Sequence, residues 1–109
     1  LVPYYDYDAP EIPNAIRDAS AAAVMASALL ELSRYTNKTE SKRYWNAGAD
    51  ALASLASPAY RAKEGENNNF ILMHSTGSMP GNSEIDVPLS YADYYFLEGM
   101  LRYKQWAGK

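Results

Sequence analysis

Three stretches of the chain carry apolar residues at helical spacing, separated by segments that do not. The first runs from about Ala19 to Tyr35 and is apolar on nearly every face between Ala21 and Leu32, interrupted only by Ser27 and Glu31. That pattern predicts a helix buried all round, with small side chains that let neighbouring helices approach closely. Asp18 stands where an N-cap belongs. The second stretch predicts a helix from about Ser41 to Ser57. Trp45, Gly48, Leu52 and Leu55 form its apolar stripe, and Pro58 stops it. Thr36 to Thr39 reads as the intervening turn. The third begins near Tyr91 and fades near Trp106. Ser90 and Asp93 have capping-box spacing. Tyr94, Leu97 and Leu101 share one face, and Glu98 and Arg102 are spaced to pair on an outer face, worth roughly 0.2–0.5 kcal/mol.

The remaining segments are irregular. Pro3, Pro10 and Pro13 keep the first seventeen positions extended. Residues 58–89 form a connection well beyond the roughly 12–15 residues usual in a compact domain. Within it Phe70 to Met73 is an apolar anchor, predicted as a short strand or a buried extended piece, and Pro80-Gly81 marks a turn. An anchored loop of this length suits function better than disorder.

Composition removes several function classes. The chain has 109 residues, no cysteine and one histidine, so thiolate and multi-histidine metal sites are excluded. A net charge of −3 argues against a nucleic-acid partner. No apolar run reaches the roughly 20 residues of a membrane span. Neither phosphate-binding glycine fingerprint occurs. Ten tyrosines supply flat rings with polar tips, useful in cores and at sugar-binding surfaces.

Candidate chemistry is sparse. Asp6 with Asp8, and Glu84 with Asp86, are spaced to point the same way on an extended chain, as carboxylate pairs or as turn formers. His74 and Ser75 are adjacent and point apart, so they do not make a catalytic triad. Ser75-Thr76-Gly77-Ser78 is read as a nest of backbone amides and hydroxyls for an anion or a sugar hydroxyl, the alternative being an ordinary turn.

In order along the chain stand Tyr4-Tyr5-Asp6-Tyr7-Asp8-Ala9-Pro10, Arg17-Asp18-Ala19-Ser20-Ala21-Ala22-Ala23, Leu29-Leu30-Glu31-Leu32 and Asp93-Tyr94-Tyr95-Phe96-Leu97-Glu98. Together they resemble the unsaturated glucuronyl hydrolases, glycoside hydrolase family 88, with the unsaturated rhamnogalacturonyl hydrolases of family 105 nearby. The resemblance covers about Pro3 to Lys104. It implies an all-α fold, the C-terminal helices of an (α/α)6 barrel, with a long substrate-side loop. Residues 1–109 are then one C-terminal segment of a single catalytic domain, and the remainder of the same barrel is their partner. The implied activity is release of a Δ4,5-unsaturated uronic acid from an unsaturated oligosaccharide, without metal or organic cofactor. Members are mostly bacterial, some cytoplasmic and some exported.

The resemblance places the catalytic aspartates before the region matching Leu1, so Asp6, Asp8, Asp18, Asp86 and Asp93 receive no catalytic role. Some members carry S-x-x-S-x-K as a contact to sulfate or hydroxyl groups. Here Ser75 and Ser78 match and Pro80 replaces the lysine. The implied substrate-binding residues are therefore Ser75 and Ser78, with His74, Tyr4 and Tyr5 alongside. The loss of the cation removes a charge-assisted contact to sulfate. The competing reading of the chain is a stand-alone helical carbohydrate-binding or interaction module.

Overall fold

The computed structural model describes residues 2–108. Three α-helices are present, α1 (Ala19–Leu32), α2 (Lys38–Ala56) and α3 (Ser90–Trp106). Extended pairing among the described residues is confined to isolated bridges. α1 packs on both other helices, whereas α2 and α3 barely touch. Ser27 meets Glu98 and Glu31 meets Arg102, so α1 and α3 run the same way. Trp45 stacks on Tyr103 while Leu52 lies over Gly99, so α2 runs opposite to α3. One end of the bundle therefore gathers two helix N-termini and the C-terminus of α2. The long connection crosses that end.

The helix starts show how local side chains choose between partners. Asp18 caps α1 as expected, accepting from the Ser20 amide at 3.0 Å and its hydroxyl at 2.6 Å. α2 begins at Lys38, three residues before the predicted start. Asn37 caps it by accepting from the Glu40 amide at 2.9 Å, so Lys38 and Thr39 of the expected turn are already helix. α3 begins without a side-chain cap, and the Ser90–Asp93 capping box does not form. The Asp93 carboxylate instead accepts from the amides of Ile71 and Leu72 at 2.8 and 2.9 Å. Two charge-assisted bonds to a passing chain outweigh one bond within its own first turn. α1 ends at Leu32, and the amides of Arg34 and Tyr35 bond three residues back in tighter turns instead of extending it.

The core is built from Ala19, Ala22, Ala23, Ala26 and Leu30 of α1, Leu52 and Leu55 of α2, Phe96 of α3, and Leu72 from the connection. Leu72 is fully enclosed and lies on extended backbone bridged to Arg61, which fits the predicted apolar anchor. The stripe on α2 packs as read from its spacing, with Gly48, Leu52 and Leu55 buried. At Gly48 the α2 backbone comes close to α1. A Cβ there would stand 3.1 Å from the Ala26 carbonyl and from Leu30.

Two orientations differ from expectation. α1 is not covered all round: Val24, Met25 and Leu32 stay exposed, because two neighbouring helices shield only part of its circumference. On α3 the faces are exchanged. Ala92, Phe96 and Gly99 pack inward, while Tyr94, Leu97 and Leu101 face solvent. Glu98 and Arg102 do pair, at 3.5 Å, but not on an outer face; both reach toward α1. Arg102 donates to the Ser27 carbonyl and hydroxyl at 3.0 Å each and pairs with Glu31 at 3.1 Å. Ser27 donates to Glu98. Buried Ser27 offers no apolar contact, so the polar face of α3 turns inward to satisfy it.

Candidate functional site: the loop over the helix N-termini

The connection is held on the bundle by two aspartates. Asp93 takes the amides of Ile71 and Leu72. Asp18, besides capping α1, accepts from the Thr76 amide at 3.0 Å. The His74 carbonyl accepts from the Ala19 amide at 2.9 Å, and the Met73 amide donates to the Tyr60 carbonyl at 2.7 Å. Residues 71–76 are thus laid across the ends of all three helices. Beyond them the chain turns back as a narrow hairpin, bridged at Ser75–Val87 and Ser78–Ser83.

That hairpin removes the predicted nest. The amides of Ser75, Gly77 and Ser78 donate to the carbonyls of Val87, Glu84 and Ser83, and the amide of Thr76 is taken by Asp18. All four donors are spent within the fold, so the stretch is not an amide nest for an anion. Its hydroxyls differ among themselves. Ser75 is fully buried and its Oγ has no partner among the described residues. Thr76 reaches the Arg17 carbonyl at 3.4 Å. Ser78 is half-buried and accepts from the Gly81 amide at 3.1 Å, which leaves its own proton to donate. Of the two serines, only Ser78 meets solvent.

His74, Tyr4 and Tyr5 are brought to the same end. The His74 Nδ1 lies 2.7 Å from Asp86 Oδ1, and the Tyr60 ring meets the imidazole edge-on. Arg17, Tyr60, His74 and Asp86 border one open cavity with Ala15, Ile16 and Ala59. Tyr4 joins through Arg17, whose guanidinium lies 4.2 Å above its ring and donates to its hydroxyl at 3.2 Å. One face of Tyr4 is therefore occupied by a cation and not open for a sugar. The Tyr5 hydroxyl donates to Glu11 at 2.9 Å. Neither carboxylate pair forms an acid–base couple: Asp6 accepts from the Asp8 amide in a turn, and Asp86 is engaged with His74. Arg17, Tyr60 and the Asp86–His74 contact were missed from sequence, because they come from positions about 12 to 69 residues apart with no shared local pattern.

Two phenols are shifted. The hydrogen bond to Glu11 raises Tyr5, with desolvation and the charges of Glu11 and Asp6 acting the same way. Burial raises Tyr60 against the opposing pull of Arg17. In both, folding favours the protonated ring. Their contribution is present below the ordinary tyrosine value near 10 and is lost as pH rises through the raised ones. An ultraviolet titration is expected to show both ionising late, and Glu11→Gln to return Tyr5 to the ordinary range. An unchanged late fraction in Glu11→Gln would refute the assigned cause.

The same arrangement of helices and loop occurs in known proteins. Over 101 residues, 93% of this chain, the sequence is 52% identical to an unsaturated glucuronyl hydrolase of Formosa agariphila. The chain is similar to a segment of the unsaturated glucuronyl hydrolases. It spans 24% of that relative's length. The fold superposes on a crystal structure of an unsaturated glucuronyl hydrolase specific for heparin with a TM-score of 0.91 and 49% identity, covering 95% of this chain and 28% of that one. A Streptococcus agalactiae unsaturated glucuronyl hydrolase variant, complexed with dGlcA-GalNAc6S, superposes with a TM-score of 0.81 and 28% identity over 96% of this chain and 28% of its own. No family profile matches the chain. Unsaturated glucuronyl hydrolases are (α/α)6 barrels, and the three helices overlay a section of that barrel.

Proposed function

We propose that this chain is the C-terminal section of an unsaturated glucuronyl hydrolase and supplies substrate-side contacts to a site whose catalytic carboxylates lie on the rest of the barrel. The observation that carries the reading is 52% identity to such an enzyme, maintained across 93% of the chain. The unpartnered apolar faces support it. Val24, Met25 and Leu32 on α1, and Tyr94, Leu97 and Leu101 on α3, are exposed as expected of helices that lie against further helices of the same barrel. A stand-alone helical module would have to leave these faces in water.

In the reaction, a carboxylic acid protonates C4 of the C4=C5 enol ether and water adds at C5. The C5 hemiketal then opens by breaking C5–O5, which leaves a C5 ketone and a hemiacetal at C1; the hemiacetal expels the leaving sugar as its alcohol, and the uronic acid departs as a saturated, open-chain 5-keto aldehyde. This differs from hydrolysis with two carboxylates flanking the anomeric carbon. Of the residues here, Ser78 and His74 present free polar atoms to a saccharide. Tyr4 and Tyr5 are proposed as walls of its approach, and Ser75 as support beneath the loop.

The relative specific for heparin directs the first assay to lyase-generated heparin disaccharides. The intact protein carrying this segment is expected to abolish the ultraviolet absorbance of their conjugated double bond. Because Pro80 offers no cation, unsulfated disaccharides are expected to react at least as fast as their 6-sulfated forms. No loss of absorbance with unsaturated disaccharides from heparin, chondroitin or hyaluronan would overturn the proposal.

A further inference from the structure

His74 is the single histidine of the chain, and its ring is held from one side only. Nδ1 contacts Asp86 Oδ1 at 2.7 Å, while Nε2 has no partner among the described residues and the side chain is 46% exposed. A carboxylate accepts hydrogen bonds and does not donate them. Nδ1 therefore carries the proton in the neutral ring, and Nε2 presents a lone pair.

The contact is built by the backbone. Ser75 and Val87 exchange two hydrogen bonds of 2.9 Å each, and His74 and Asp86 are the residues just before them. Both have left-handed backbone, with φ of 67° and 53°. L side chains adopt that region sparingly, and it tends to persist where surrounding structure imposes it. Here it takes both residues out of the extended path and brings their side chains together. The Tyr60 ring, 5.9 Å away and nearly perpendicular, closes one side of the imidazole. His74 borders, together with Arg17, a cavity of about 380 Å³.

We infer that Asp86 is a positioning residue: it fixes the tautomer and orientation of His74 so that Nε2 accepts a hydrogen bond from a substrate hydroxyl. The inference rests on the proposal that a saccharide enters at this end of the helices. The same logic orients metal-binding histidines, where the partner on one nitrogen decides what the other can do.

The test uses the intact protein and two readouts. Nitrogen NMR, with the His74 signal assigned by its loss in His74→Gln, is expected to show the Nδ1–H tautomer. Asp86→Asn keeps the backbone preference and removes the charge. It is expected to populate the Nε2–H tautomer and to raise KM for an unsaturated disaccharide about ten-fold, with kcat within about two-fold. That is the pattern of a contact made equally in ground and transition states. An Nε2–H tautomer in the unaltered protein would overturn the inference, whatever the variant does. So would turnover by the unaltered protein with KM unchanged in Asp86→Asn. Absence of turnover by the unaltered protein strikes instead at the hydrolase proposal.

Discussion

Asp93→Ala is expected to lower the unfolding free energy by about 3 kcal/mol, from two lost charge-assisted bonds at about 1.5 kcal/mol each. The carboxylate is part-buried and holds Ile71 and Leu72 at 2.8 and 2.9 Å. Water cannot easily replace it, because Leu72 itself is fully enclosed. Asp93→Asn retains one acceptor and is expected to cost about half as much by the same reasoning. Urea denaturation of the intact protein measures both. A loss below about 1 kcal/mol for Asp93→Ala would mean that exposed-surface energetics apply and the loop is not held there.

Leu30→Ala is expected to cost about 3–4 kcal/mol, within the range for deleting a fully buried leucine. Leu30 is completely enclosed, and its Cδ2 lies against Gly48. The two positions should therefore not behave independently. Gly48→Ala alone gains helix propensity worth about 1 kcal/mol. It also crowds the Leu30 side chain and the Ala26 carbonyl, both near 3.1 Å from the new methyl. With Leu30 shortened, half of that crowding disappears and the methyl fills part of the cavity. A double-mutant cycle is expected to show a favourable coupling of about 1 kcal/mol. Additivity within about 0.3 kcal/mol would show that α1 and α2 are looser at this crossing than their geometry states.

Features decided by neighbouring residues were legible in the sequence. Asp18 caps the helix it precedes, the α2 stripe repeats at helical spacing, and Phe70 to Met73 was marked as an anchor by its apolar run. Features decided by competition between distant groups were not. Asp93 has capping spacing, yet its carboxylate finds two better donors 21 and 22 positions away. Glu98 and Arg102 have surface-pair spacing, yet buried Ser27 on α1 draws them inward. The amides of residues 75–78 belong to a stretch rich in turn formers, yet a hairpin and Asp18 consume all four. The serine motif drew attention to this loop without showing that Ser75 is enclosed and Ser78 is not. The family resemblance supplied the barrel, which no local pattern in this chain could supply.

Asp93 belongs to the final helix, although the loop it holds is made earlier in the chain. This sets an order of events. During synthesis, residues 58–89 leave the ribosome before the carboxylate that will fix them exists. α1 and α2 are adjacent in sequence and can pair early, since short separations close fastest. The Arg102 contacts to Ser27 close a separation of 75 residues and must come later. The loop-bearing end is consequently the last part of this segment to acquire its shape, and any nascent chain stopped before residue 93 has only the α1 half of the loop's anchorage, at Asp18 and Ala19.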